Sequence, residues 1–364
     1  MNRFSLVVAI ASLWSAAVGL ASPADALRIQ KSWKLTMEIW NLESKTATTP
    51  AAQAKIWNSR PDPIPVAREM WNVISPSLGE EWIIEPAAWF LRITPNLTES
   101  KPNESAKPAF TKEVEAIRKA IETKHLKSKK LLPICMALAS TQDPRSLAVL
   151  EKIITTSPDE KIQGVAALAA AIVLKSIGDD AEMMRKRLTY LRKAIIQSSE
   201  VELDGTTVAK LAENELYIIR FLTKGRTAPD LIGVDSGNLP LKLSDIKNKI
   251  VVLIFWNSTM HEAERVVQIT NEMIVKFKNR PLLVLGVNND VVAQLRDLEG
   301  NGVVNWKSLS DPTNKLGDDY RVGAWPLVYL LDAERKIHYA GPPGSFVELT
   351  AEALIAEMKP AAVE

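Results

Sequence analysis

The sequence predicts two folded parts in series, an all-α N-terminal domain and an α/β C-terminal domain. Between residues 111 and 224, apolar side chains recur at helical spacing, and Pro and Gly residues interrupt them at intervals. After residue 225, short apolar runs rich in β-branched residues alternate with helical periodicity, which indicates a central sheet covered by helices. A chain of 364 residues is long enough for two independent hydrophobic cores.

Residues 1–26 have the composition of a secretory signal peptide. Arg3 provides the positive charge, Phe4–Leu20 form an apolar stretch, and Ala24-Asp25-Ala26 offer small residues for cleavage. The alternative is an uncleaved membrane anchor. No later segment is apolar enough to span a bilayer. We therefore expect an exported protein of the periplasm or cell envelope, with no integral membrane segment after signal removal.

The next stretch, residues 27–110, is rich in Trp and Pro. Its Trp residues are Trp33, Trp40, Trp57, Trp71, Trp82 and Trp89. We expect them to supply buried area to an irregular region, although stacking on a carbohydrate is an alternative. Residues 95–108 are polar and low in apolar side chains, which predicts a flexible loop.

Residues 111–224 predict a helical array. The expected helices are Lys112–Glu122, Lys129–Ser140, Pro144–Thr156, Asp159–Ser176, Asp180–Ser198 and Thr206–Leu222. Paired helices of this length suggest an antiparallel array of the HEAT or TPR type, but no period is strict enough to name either family.

Residues 225–364 predict the α/β domain. Its expected strands are 251–256, 282–287, 327–331 and 337–340, with helices at 260–278 and 349–358. The first strand is a continuous apolar run, which favours burial on both of its faces.

The segment Val251–Ala263, VVLIFWNSTMHEA, combines a buried strand, a Phe255-Trp256 exit, a turn and a helix start. This arrangement resembles the active-site segment of the TlpA-like thiol-disulfide oxidoreductases, a thioredoxin-like (redoxin) family of the bacterial envelope. The resemblance extends from Gly225 to about Lys359 and includes Val322–Pro326 before the third strand. It implies a thioredoxin-like fold for the C-terminal domain.

The family places Cys-x-x-Cys at the turn, where this chain has Met260, His261, Glu262 and Ala263. Disulfide exchange requires a thiolate, which Met cannot form, and Ala263 cannot resolve a mixed disulfide. The resemblance thus implies a degenerate active site without catalytic residues. The single cysteine, Cys135, lies in an apolar helical run, which favours burial over an exposed reactive thiol or an intermolecular bridge.

The resemblance also implies a peptide-binding groove beside the turn. Pro326 corresponds to the family's cis proline, and Trp325 would present its backbone groups to an extended peptide. With Trp256 and Met260, these residues make up the expected peptide-binding site.

Other chemistries find little support in the sequence. His261–Arg265 resembles part of a HExxH zinc motif, but Arg265 occupies the position of the second His, so we expect no metal site. No Gly-rich phosphate loop is present, and we expect no cofactor. The formal charge of +2 without a Lys/Arg block disfavours a nucleic-acid partner.

These observations favour an exported, redox-inactive thioredoxin-like protein that binds protein or peptide partners. They leave enzymatic activity open but favour a role without catalysis. One alternative is a thiol-disulfide oxidoreductase-class enzyme, as the fold suggests. A second alternative is that the helical domain makes the interaction and the thioredoxin-like domain is structural.

Overall fold

The computed structural model describes residues 22–46, 55–99, 105–178, 180–260 and 262–358. Within these ranges, a helix-rich N-terminal region precedes an α/β domain, as the sequence predicts. None of the helices in these ranges combines the length and apolar character needed to cross a membrane. Residues 1–21 of the predicted signal peptide and residues 100–104 of the predicted flexible loop lie outside the described residues.

The Trp- and Pro-rich stretch is largely helical, although the sequence suggested an irregular region. Its helices include α1 (Pro23–Thr46), α2 (Pro63–Ile74) and α3 (Ile84–Ile93). Asp62 caps α2 by accepting the Ile64 N–H at 2.9 Å. The polar loop is bounded by a short antiparallel ladder between β1 (Thr98–Glu99) and β2 (Lys107–Pro108). Its ends are therefore paired rather than free.

Residues 111–222 form the helical array, close to the predicted bounds. The helices are α4 (Thr111–Ala120), α5 (Leu132–Ser140), α6 (Pro144–Thr156), α7 (Glu160–Ile177), α8 (Ala181–Ser198) and α9 (Val208–Tyr217). Between α8 and α9 lie two short strands, β3 (Glu202–Leu203) and β4 (Thr206–Thr207). The small residues of α7 from Val165 to Ala171 are fully buried, because they let neighbouring helices approach closely.

A buried arginine connects two of these helices. Arg118 of α4 is 2% exposed and donates to Asp143, the N-cap of α6, at 2.7 Å. Arg145 also donates to Asp143, at 2.7 Å. Burial raises the pKa of the Asp143 carboxyl, but these hydrogen bonds outweigh burial and lower the pKa to about 2.

A five-stranded sheet forms the centre of the C-terminal domain. Its strands are β7 (Ile250–Trp256), β8 (Leu282–Asn288), β9 (Lys307–Ser310), β10 (Leu327–Leu331) and β11 (Ile337–Gly341). Their order is β11-β10-β7-β8-β9, with β7, β8 and β9 parallel and with β10 antiparallel to both of its neighbours. Strand β9 was not predicted, nor was the hairpin of β5 (Ile232–Val234) and β6 (Pro240–Lys242) beside it.

Both faces of the sheet are buried, so the apolar run of β7 needs no alternation with polar residues. On one face, Phe255 packs with Tyr320, close to the short helix α12 (Lys315–Asp319). On the other face, Trp256 belongs to a cluster covered by helical side chains. The helices there are α10 (Ala263–Lys276), α11 (Val292–Gly300) and α13 (Ser345–Glu357).

The helical array joins the sheet domain without a flexible linker. A π-helical segment, Ile218–Leu222, continues α9, and Leu222 lies in the hydrophobic cluster of the C-terminal domain. Gly225 then donates to the Ile337 carbonyl at 2.8 Å, which pairs the incoming chain with the start of β11.

Candidate functional site

The turn between β7 and α10 lies at the carboxyl end of the central strand. β7 ends at Trp256, and α10 begins at Ala263 rather than at Met260, where the sequence predicted its start. Asn257 Oδ1 accepts from the N–H and the hydroxyl of Thr259, each at 3.1 Å. The Met260 carbonyl accepts the Ala263 N–H at 3.1 Å. Local hydrogen bonds therefore shape this turn.

Asp290 attaches the turn to the neighbouring strand. This residue follows β8, is 6% exposed, and accepts the Ser258 N–H at 2.8 Å and the Asn288 side-chain N–H at 2.9 Å through the same oxygen. The Gln294 amide donates to the Ser258 hydroxyl at 2.6 Å. Asp290 is not among the site residues that the sequence predicts. The available signal was its place after a strand parallel to β7, because the carboxyl ends of parallel strands share one edge of a sheet.

The four positions from Met260 to Ala263 carry no thiol. Met260 and Ala263 are half-buried, Glu262 is exposed, and His261 lies outside the described residues. The Met260 side chain packs against the cluster beneath α10. Glu262, the residue before α10, makes no side-chain capping bond to the helix. The first turn of α10 therefore has the polarity that would favour a thiolate, but a thioether occupies the position.

The single cysteine lies far from this turn in the fold. Cys135 belongs to α5 and is fully buried in the helical core, which confirms the burial expected from its apolar surroundings. Burial raises the pKa of its thiol to about 12. At neutral pH the thiol is therefore protonated and shielded from solvent.

The loop before β10 provides a second wall. The Trp325–Pro326 peptide bond is cis. The Trp325 ring packs edge-to-face on Phe255, with centroids 6.0 Å apart. A Cβ on Gly317 would lie 2.4 Å from Asn314 Oδ1 and 3.2 Å from Trp325 Cζ2. The glycine thus permits the close approach of α12. Within the described residues, the backbone groups of Ala324 and Trp325 make no hydrogen bond, so they remain available to a ligand.

The predicted peptide-binding residues separate into different environments. Trp256 is fully buried, with its ring 5.4 Å from that of Trp306, so it supports the sheet and cannot contact a peptide. Met260 packs on the α10 face of the sheet, whereas Trp325 packs on the α12 face. A peptide at this edge would therefore contact the exposed part of the Met260 side chain and the backbone before Pro326.

The described residues contain no group of three or more His, Cys, Asp or Glu side chains placed to hold a metal ion. What the arrangement offers is a half-buried thioether, an uncapped helix start and free backbone groups. Such a set can bind an extended chain by hydrogen bonds and apolar contact.

Comparisons with known proteins match the C-terminal domain. Residues 224–340 match the model of the AhpC/TSA family. The thiol-disulfide oxidoreductase ResA of Bacillus thuringiensis is 26% identical over 118 residues, which cover 31% of this chain and 66% of that protein. The ResA of Geobacillus kaustophilus is 25% identical over 114 residues, again covering 31% and 66%. The chain thus spans just under two thirds of the length of these relatives.

Solved structures also match over this part of the chain. The thioredoxin domain of a thiol-disulfide oxidoreductase from Bacteroides vulgatus is 22% identical, with a TM-score of 0.34, and the match covers 37% of this chain and 99% of that one. A thiol:disulfide interchange protein from Bacteroides sp. is 22% identical, with a TM-score of 0.34, and the match covers 37% and 91%. The C-terminal domain is a thioredoxin-like domain of the redoxin type.

Proposed function

We propose that this thioredoxin-like domain binds an extended protein or peptide segment and does not exchange disulfides. The observation that supports the proposal is the pairing of two features at one edge of the sheet. Ala324 and Trp325 have unpaired backbone groups among the described residues, and the turn nearby has Met260 where exchange would need a thiol. A scaffold of this kind retains a surface for recognition while lacking the nucleophile.

Binding at this edge should be weak. Without a covalent step, affinity comes from a few backbone hydrogen bonds and from contact with the rim of Met260. Ordering an extended chain offsets much of that gain, so we expect a Kd on the order of micromolar or weaker. Such affinity suits a transient partner.

The direct test uses an unfolded polypeptide as the probe. Fluorescein-labelled insulin B chain with blocked cysteines should raise its anisotropy when the protein is added. Met260→Asp places a charge on the apolar rim and should weaken binding about tenfold. Val275→Asp is the matched control, because Val275 is exposed near the far end of α10. Equal affinity of the wild type and both variants would exclude Met260 from the binding surface.

A second candidate is a thiol-disulfide oxidoreductase-class enzyme, and the names of the ResA relatives favour it. The reaction would have to proceed through the only thiol in the chain, that of Cys135. Reduction of insulin by dithiothreitol, followed by turbidity, separates the two candidates. We expect the wild type to match the protein-free blank and Met260→Cys/Ala263→Cys to accelerate precipitation. Wild-type catalysis that Cys135→Ala abolishes would establish the enzyme instead.

We also infer that the protein is exported and that the signal peptide is cleaved before Ser22, so that Ser22 remains in the mature chain. The Ser22 hydroxyl donates to the Asp25 carboxylate at 2.7 Å and accepts the Asp25 N–H at 3.3 Å, which caps the start of α1. Cleavage after Ala26 would cut within this first helical turn and remove Ala26, which is buried. Gly19-Leu20-Ala21 offers small residues for cleavage before Ser22. Mass spectrometry of the exported protein should find Ser22 at the N-terminus; an N-terminus at Leu27 would contradict this boundary.

A further inference from the structure

An open groove of about 1130 Å³ lies between the helical array and the C-terminal sheet. Its walls include side chains of α7, α8 and α9 on one side, and β11 with the loop Val322–Ala324 on the other. We refer to it as the interdomain groove. Its volume exceeds that of most small-molecule sites and suits a stretch of polypeptide.

The lining of the interdomain groove is cationic. Its basic side chains are Lys175, Arg187, Lys210, Lys224 and Arg321. Two carboxylates, Glu215 and Asp318, also line it, so positive charges exceed negative ones by three. Glu215 is already engaged, because it accepts from Lys175 and from Arg187, each at 3.1 Å. Lys210 lies 3.7 Å from the Glu213 carboxylate. Among the described residues, Lys224 and Arg321 are therefore the groove cations that have no carboxylate partner.

Two of these cations are placed to meet a ligand. The Arg321 guanidinium stacks 4.4 Å from the centroid of the Tyr217 ring, and its Nε is buried without a hydrogen-bond partner. Lys224 is exposed and forms no ion pair with any described residue. A carboxylate entering the groove could pair with either group without breaking an existing ion pair.

The outer edge of β11 faces the same groove. The incoming chain covers only its start, where Ile337 donates to Arg226 at 2.8 Å and the Ala228 N–H reaches Arg335 at 2.9 Å. From His338 to Gly341, the edge makes no backbone hydrogen bond on this side within the described residues. An unpaired edge of this kind can accept an additional strand from another chain.

We propose that the interdomain groove binds an acidic, extended segment of a partner protein, which adds a strand to the free edge of β11. The cationic lining recognises the carboxylates, and the backbone of residues 338–341 supplies sequence-independent hydrogen bonds. This surface shares Ala324 with the proposed site at the turn but does not include Met260, and neither the cationic lining nor the edge of β11 belongs to that site. The inference therefore does not depend on the proposed function of the turn.

The test uses the full chain and a short fluorescein-labelled peptide of alternating glutamate and valine. At low salt, anisotropy should report binding, and the same peptide with lysine in place of glutamate should not bind. Lys210→Glu/Lys224→Glu reverses two exposed charges in the groove and should weaken binding about tenfold or more. The control variant, Lys249→Glu/Lys278→Glu, makes the same change in net charge in a separate pocket of the C-terminal domain that both lysines line. It should retain wild-type affinity.

Hydrogen–deuterium exchange then distinguishes strand addition from attraction by charge alone. Saturating peptide should slow exchange of the outward-facing amides in the segment 338–341 by tenfold or more, since those amides would gain partners, whereas the alternate amides already bond to β10. Absence of binding, equal losses in both double variants, or binding without protection of 338–341 would each overturn the proposal. The Met260→Asp variant should bind this peptide normally, so failure at the turn and failure at the groove give different results.

Discussion

Replacement of Asp290 by Ala should loosen the turn that precedes α10. The carboxylate accepts the backbone N–H of Ser258 and the side-chain N–H of Asn288, and it is 6% exposed. Alanine leaves both donors without that partner in a site where water has little access. The effect should reach the turn directly, because Ser258 lies between β7 and Met260.

The size of the effect follows from these two bonds. A hydrogen bond to a charged group contributes about 1.5–3 kcal/mol, so two of them amount to about 3–6 kcal/mol. Burying the carboxylate offsets part of that gain. We therefore expect Asp290→Ala to lower the free energy of unfolding of the C-terminal domain by about 2–4 kcal/mol. Asp290→Asn keeps an oxygen that can accept both N–H groups but removes the charge, which roughly halves the strength of each bond, so it should lose about half as much.

Native-state hydrogen exchange measures this change domain by domain, because the slowest amides of β7 report global opening of the sheet. Asp297→Ala is the control, since Asp297 is an exposed carboxylate on α11. The variant at 290 should accelerate exchange in β7 and in residues 257–260, and the control should not. If the two variants differ by less than about 0.5 kcal/mol, Asp290 does not hold the turn.

Three further outcomes test the helical region. The Cys135 thiol, with a pKa of about 12, should react with Ellman's reagent at pH 8 only as fast as the protein opens, and reaction at the rate of a free thiol would contradict its burial. The pKa of Asp143 is lowered from 3.8 to about 2. The stability advantage of wild type over Asp143→Asn should therefore be complete above about pH 4 and should disappear as the pH falls through 2. Urea titrations across this pH range measure that advantage. A Cβ on Gly164 would lie 2.0 Å from Ser198 Oγ, so Gly164→Ala should cost about 1–3 kcal/mol by thermal denaturation, whereas Gly79→Ala, with open space around it, should not.

The sequence predicted most of the regular structure because apolar periodicity reflects burial. The run Val251–Trp256 is buried on both faces, and the predicted strands and helices of the C-terminal domain lie within a few residues of those observed. Strand β9 escaped prediction because Lys307–Ser310 combines a charge and two serines with a single leucine. Its place at the edge of the sheet depends on pairing with β8, which no local pattern encodes.

The site was less predictable because its geometry depends on contacts distant in sequence. The Phe255-Trp256 pair suggested a shelf for a peptide, but Trp256 points into the core against Trp306. Asp290, which follows β8, accepts the N–H of Ser258, which follows the neighbouring strand β7, and the Trp325 ring lies close to Gly317 of α12. Each of these contacts requires knowledge of which elements are neighbours.

The same contacts explain how the scaffold remains ordered without a disulfide at the turn. Asn257 and Asp290 hold the turn by hydrogen bonds, and Met260 fills space against the cluster under α10. The loop before β10 is positioned by packing of Trp325 on Phe255. None of these interactions uses a thiol. The shape of the edge therefore does not depend on a thiol at the turn, and the proposed binding role requires this independence.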